Sequence, residues 1–150
     1  MIETLRAEYP HSVHSRTDRN SNLRFNCVMY ALDAHNDPAL INLSLRCPDE
    51  VHPSTAFAQF LIDTGSLVEC SVANRAPLVT YLKDNKIEHI GRLIAGARVV
   101  SKWGVGHLYE HDLMEVPSSY GDTLRYFRLH GDTPIAELFR KFAEANGVEF

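Results

Sequence analysis

The stretch Asn26-Cys27-Val28-Met29-Tyr30-Ala31-Leu32 decides how the chain is read. Asn26 is a good N-cap, because its side-chain oxygen can accept from the free N–H groups of a first helical turn. Val28, Ala31 and Leu32 recur at i, i+3 and i+4, the spacing of an amphipathic helix. That helix is predicted to run to Asn36-Asp37-Pro38, where the proline stops it. Cys27 then stands in the first turn, where unpaired N–H groups and the helix dipole favour a negative sulfur. Such a position lowers a thiol pKa and raises the thiolate fraction. An adjacent imidazole would stabilise the thiolate further and later protonate a leaving group. His89, in Glu88-His89-Ile90-Gly91-Arg92-Leu93-Ile94, is the candidate. Taken singly, each residue has a plainer reading: Cys27 as a small buried hydrophobe, His89 as a hydrogen-bonded strand residue.

Outward from this stretch the chain divides into helical and strand-like parts. Residues 1–24 form a polar lead-in, loop-like from His11 to Asn22, with Leu5 and Tyr9 as its candidate anchors. Residues 37–53, with Pro38, Pro48 and Pro53, are predicted to be irregular. A second helix is predicted from Ser54, with Phe57, Phe60 and Leu61 on one face and Gly65 as its stop. Leu67–Cys70 reads as a short strand. Three more strand-like runs follow at Leu78–Leu82, His89–Ile94 and Ala97–Ser101. They are split by Asp84-Asn85 and by Ala95-Gly96, the second break being tight enough for a hairpin. A further run, Thr123–Leu129, alternates, with Leu124, Tyr126 or Phe127, and Leu129 expected on a core face. The end is a helix, capped by Thr133 with Pro134 at its first position. Ile135, Leu138, Phe139 and Phe142 make its apolar stripe, and Gly147 closes it. The order helix, helix, antiparallel strands, helix predicts an α+β domain over residues 25–150.

Composition narrows the function classes. At 150 residues the chain is long enough for one domain with a real core. A formal net charge of −4 with no basic run argues against nucleic acid or an anionic membrane as partner. No apolar run reaches the roughly 20 residues of a spanning helix, and the first residues lack the basic-then-apolar order of a secretory signal. The cytosol is therefore the expected compartment, with export by a dedicated machine that needs no such signal as the alternative. The three cysteines, 27, 47 and 70, form no CxxC pair, so neither a disulfide framework nor a four-cysteine zinc site is expected.

The motif Asn26-Cys27-x-x-Tyr30-Ala31-Leu32, followed by the strand His89-Ile90-Gly91, resembles the NlpC/P60-type papain-like cysteine peptidase superfamily. The later Ser101-Lys102-Trp103-Gly104, His111 and Tyr120-Gly121 resemble an uncharacterised bacterial branch with the order SK-x-G, H, YG. The resemblance covers roughly residues 25–129. It implies a papain-like fold in which the cysteine begins a helix packed on an antiparallel sheet that carries the histidine. It also implies acyl transfer: Cys27 attacks an amide or ester carbonyl, His89 shuttles the proton, and a thioester forms. Water then gives hydrolysis and an amine gives transamidation. The substrates implied are peptides, cell-wall peptides or a protein side-chain amide, with no cofactor and no metal. A third polar residue orients the histidine in that superfamily. Ser101 stands at the matching place, twelve residues after His89 across a hairpin, in place of the more usual His, Asn or acidic residue. His107, Glu110 and His111 are the alternatives. Asn26, or a first-turn N–H, is a candidate for binding the oxyanion.

Two further readings compete. His107-Leu108-Tyr109-Glu110-His111 matches H-x-x-E-H, in which two histidines one helical turn apart bind zinc and the glutamate acts as base. Eight histidines in the chain make a chance match easy, and the neighbouring Gly104, Gly106 and Pro117 leave little room for a helix. A non-catalytic interaction domain that keeps the fold is the other. Trp103 reads either as a substrate-contacting aromatic on a loop or, more simply, as a side chain packed beneath it. The arginines and lysines read as solvated surface.

Overall fold

The computed structural model describes residues 26–71, 77–94, 98–103 and 108–150 together with the backbone of residues 14–16. The fold is α+β, a seven-stranded sheet with helices packed on one face. The strands are β1 (His14–Arg16), β2 (Leu67–Cys70), β3 (Leu78–Lys83), β4 (Lys86–Ile94), β5 (Arg98–Lys102), β6 (Leu108–Asp112) and β7 (Thr123–Leu129). The helices are α1 (Cys27–Ala31), α2 (Pro38–Leu45), α3 (Thr55–Asp63) and α4 (Ile135–Ala145). Strand order is β1-β6-β5-β4-β3-β7-β2, and each neighbouring pair runs antiparallel. No helix among the described residues is long and apolar enough to cross a membrane.

The centre of the sheet is a meander, as the alternation of β3, β4 and β5 predicts. The β3–β4 hairpin turns on Asp84 and Asn85, at φ 51° and 63°. Consecutive left-handed residues match the twist of antiparallel strands, and Asp and Asn tolerate that region better than other side chains. The tight turn is thus at 84–85, while the hairpin expected at Ala95-Gly96 lies outside the described residues. Strand β4 begins earlier than expected, so His89 lies in its middle. The pairing shifts register between Tyr81 and Leu82, a bulge that inserts Glu88 between the pairs Leu82–Ile87 and Tyr81–His89.

Alternation splits each central strand between two environments. On the helical side, Leu82, Ile87, Ile90 and Phe127 join Leu40, Phe57, Leu61 and Phe139 in one apolar core. Phe57 meets Phe139 edge to face at 5.4 Å. On the other side, Val79, Tyr81 and Val99 pack with Val116, Tyr120, Leu124 and Tyr126 beneath residues 113–121. Strand β7 therefore serves both sides, Phe127 on one and Leu124 and Tyr126 on the other, and Leu129 is exposed.

Several elements differ from expectation. Helix α1 ends at Ala31, five residues long, and α2 occupies a segment expected to be irregular. Asp37 caps α2 by accepting from the Ala39 and Leu40 N–H groups, with Pro38 in its first turn. The pair Asp37-Pro38 thus starts a helix as well as ending one. Helix α4 has Pro134 at its cap with no side-chain cap bond, in place of the expected Thr133, and Gly147 follows it at φ 85°. Residues 14–16 are a strand inside the lead-in, while Leu5 and Tyr9 lie outside the described residues.

Candidate active site

Cys27 opens α1, as the N-cap pattern requires. Asn26 Oδ1 accepts from the Met29 N–H at 2.9 Å, and Asn26 Nδ2 donates to the Pro53 carbonyl at 2.7 Å. Both ends of the amide are committed to tying the helix start to the loop before α3. Asn26 Nδ2 carries two N–H donors, one of them spent on Pro53, so the oxyanion role considered for Asn26 rests on the second.

The other end of α1 is held by β4. Arg92 Nε donates to the Ala31 carbonyl at 3.3 Å, its guanidinium lies 4.8 Å from the Tyr30 ring centre, and it pairs with Asp33 at 2.9 Å. A cation on the last carbonyls of a helix complements its negative end. Arg92 is thus a brace for the cysteine helix rather than a solvated surface residue.

Between these fixings the thiol rests against β4. The N–H groups of Ile90, of Cys27 itself and of Val28 lie near enough to the sulfur to favour its charged form. Strand β4 pairs with β5 only from Arg92 onward, which leaves the Ile90 backbone to the thiol. Burial nevertheless pushes the Cys27 thiol up from its ordinary value, outweighing the pull of those three donors. The expected depression is therefore absent. A helix of five residues sums few peptide dipoles, so only the local N–H groups act, and they do not overcome desolvation.

His89 is the next residue back along β4, and its side chain projects to the opposite side from Ile90. It is 1% exposed. Its ring stacks on Tyr120, with centroids 4.1 Å apart and planes 12° apart, and Tyr81 lies 5.6 Å away on β3. Burial, with a smaller push from His111, lowers its pKa to about 3, so it is a neutral imidazole. Its Nε2 is buried with no hydrogen-bond partner. The thiol is thus next to the Ile90 backbone, one residue along the strand from His89, with no hydrogen bond between Cys27 and His89. Tyr120 relates the two: it stacks on His89, and its hydroxyl is pushed up to about 12 by burial and by the nearby Cys27.

Ser101 serves another histidine. Its hydroxyl lies 2.9 Å from His111 Nε2 and accepts from Trp103 Nε1 at 2.9 Å. His111 Nδ1 lies 2.7 Å from the Asp112 carbonyl, which can only accept, so Nδ1 carries the proton. Nε2 is then the acceptor, and the chain of donors runs from Trp103 through Ser101 to His111. This corrects the expectation that Ser101 orients His89. It also assigns Trp103, 4% exposed and 4.5 Å from the Tyr109 ring, to packing and not to a mobile binding loop. Glu110, another candidate, faces the helical side and pairs with Arg98 at 3.6 Å. Gly91 makes the packing above it possible, because a Cβ there would meet Val99 Cγ1 at 2.6 Å and Ser101 Cβ at 3.1 Å.

The H-x-x-E-H stretch loses its premise. Leu108–Asp112 is a strand, so Glu110 and His111 point to opposite faces, and both nitrogens of His111 are engaged. His107 lies outside the described residues. Among the described residues no group of three or more His, Cys, Asp or Glu side chains is placed to hold a metal. The three cysteines are free thiols.

Sequence reasoning underrated Tyr120 and Arg92. Tyr120 carried a signal only as half of Tyr120-Gly121, and Arg92 carried none, because a lone arginine at the end of a strand says nothing about which helix it will reach.

Neither the curated proteins nor the solved structures include a match to this chain. Residues 16–128, the greater part of the chain and the part that holds Cys27, His89, Ser101, His111 and Tyr120, match the family described as Domain of unknown function (DUF7689), and the chain belongs to that family.

Proposed function

We propose that the protein is a cysteine hydrolase of papain-like type, acting on an amide or ester carbonyl with Cys27 as nucleophile and His89 as base. The observation that carries this reading is the buried, unpartnered Nε2 of His89, one residue from the strand N–H against which the Cys27 thiol rests. A buried polar atom without a partner costs roughly 1–3 kcal/mol, and a fold keeps few of them without a use.

The resting pair is neutral, a thiol beside an imidazole. Proton transfer therefore accompanies attack instead of preceding it. Cys27 Sγ bonds to the carbonyl carbon while its proton passes to His89 Nε2. The tetrahedral intermediate collapses as the carbon–nitrogen or carbon–oxygen bond breaks, and the leaving group takes the proton from His89. Water, deprotonated by His89, then cleaves the thioester and regenerates the thiol. The N–H groups of Cys27, Val28 and Ile90 supply hydrogen bonds to the negative charge that develops there. The substrates proposed are peptides, cell-wall peptides or protein side-chain amides.

One observation favours a second reading, a non-catalytic interaction domain: the thiol pKa is raised and not lowered. Acyl transfer separates the two. p-Nitrophenyl acetate serves as a generic acyl donor, and mass spectrometry locates the acetyl group. The expected result is a thioester on the peptide carrying Cys27, abolished in Cys27→Ala and slowed about 100-fold or more in His89→Ala. Acetylation confined to Cys47 and Cys70, or indifferent to His89, would overturn the hydrolase reading.

A further inference from the structure

We propose that Tyr120 is a positioning residue for this site, its ring fixing and shielding the His89 imidazole. The inference rests on the hydrolase reading and extends it to a residue outside the cysteine helix and the histidine strand.

The placement of Tyr120 is built from the backbone up. Residues Ser118–Tyr120 form a single 3-10 turn after Pro117, closed by Tyr120 N–H to the Pro117 carbonyl at 2.9 Å and Gly121 N–H to the Ser118 carbonyl at 3.2 Å. Gly121 has φ 94°, and a Cβ there would stand 2.0 Å from the Leu82 carbonyl oxygen. Only glycine fits, so the end of β3 fixes the residue that follows Tyr120. The turn can then set the phenol ring against the imidazole at 4.1 Å. With Tyr81 on another side at 5.6 Å, the His89 ring is held by two tyrosines, and rotation about its own bonds meets one or the other. Tyr120 itself is half-buried, while His89 is 1% exposed, so the phenol is a cover between the imidazole and solvent.

The hydroxyl stays neutral in this setting. Burial and Cys27 keep it protonated well above neutral pH. The titratable groups facing His89 are Tyr81 from β3, His111 from β6 and Tyr120 from the turn.

The test compares wild type, Tyr120→Phe, Tyr120→Leu and His89→Ala by two readouts. The first is the rate of Cys27 acetylation by p-nitrophenyl acetate as a function of pH. The second is the NMR titration of the His89 ring, which needs no activity. Tyr120→Phe keeps the stack, so the His89 titration should stay near about 3 and acyl transfer should change less than about twofold. Tyr120→Leu removes stack and hydroxyl. It should slow transfer about tenfold or more through loss of orientation, and move the His89 titration toward its ordinary value of about 6.5. An unmoved titration in Tyr120→Leu, with the fold intact by circular dichroism, would overturn the positioning role. Should wild type carry no acetyl on Cys27, the hydrolase reading falls on the first readout, while the second still decides whether Tyr120 holds and covers His89.

Discussion

The two faces of the sheet are stabilised by different physics. The helical face is a continuous apolar core in which Phe57, Phe139 and Phe142 meet Leu40, Leu61 and Ile90. The opposite face carries Tyr81, His89, Ser101, Trp103, Tyr109 and His111, nearly all fully buried, and is covered by a short irregular segment. Burial on the first face contributes in proportion to area, with no demand on direction. On the second, each polar atom needs a correctly aimed partner, and a missing one leaves a cost. The protein meets that demand around His111 and leaves it unmet at His89. One strand, β4, therefore presents an ordinary core residue at Ile90 and an unsatisfied nitrogen at His89.

Substitution on each face sharpens this contrast. Phe139→Ala should have the largest effect, about 3–5 kcal/mol of lost stability by denaturant unfolding, because it opens a cavity among Phe57 and Phe142. A loss below about 1 kcal/mol would mean that α4 is not integral to the core. Acid should come next, acting chiefly on the second face. His89 has a folded-state pKa of about 3, below its unfolded value of about 6.5, and burial lowers His111 as well. The unfolded chain then binds more protons than the fold between those values, so stability should fall as pH drops from about 6.5 toward about 3. Thermal melts in wild type and His89→Phe measure it, and the variant should lose much of that slope. An unchanged slope would place the acid sensitivity elsewhere.

Ser101→Ala should cost about 1–3 kcal/mol, because Trp103 Nε1 and His111 Nε2 are left buried and unpaired. Acyl transfer to Cys27 should change less than about twofold. The opposite outcome, lost transfer with stability kept, would restore Ser101 as the residue that orients His89. Arg92→Ala should have the smallest effect, about 1 kcal/mol, since its pair with the exposed Asp33 is screened and the contacts to Ala31 and Tyr30 remain the main loss. Hydrogen exchange should nevertheless locate the change at α1, with faster exchange confined to residues 28–34. Exchange spread over the whole sheet would contradict a local brace.

Periodicity made part of this legible. Strands β3 and β7, helices α3 and α4, and Cys27 at a helix start all follow from spacing and capping chemistry, because local preference and tertiary packing agree there. Helix α2 was hidden by Asp37-Pro38, a pair that serves equally as stop and start. Strand β6 was masked by a histidine–glutamate pattern whose meaning depends on helical spacing that a strand does not provide. The protonated thiol was out of reach for a different reason. Capping says which N–H groups are free, but the depth of burial that outweighs them depends on what packs above Cys27. The partnership of Ser101 with His111 likewise depends on the β5–β6 register, which pairs Val99 with His111 and leaves Ser101 one step away.

The position of β7 has a consequence for how the chain assembles. Residues 123–129 lie between β3 and β2, so Leu67–Cys70 finds its strand partner only at Tyr126–Leu129. The meander β3–β4–β5 closes through short loops and is suited to form early, whereas β2 waits for a pairing almost sixty residues away. Loop-closure entropy makes such contacts slow and late. During synthesis, Cys27 and His89 would emerge well before the turn that carries Tyr120 and before β7 completes the sheet. Cys27 and His89 would thus be made before the final third of the sequence supplies the turn and the strand that complete their surroundings.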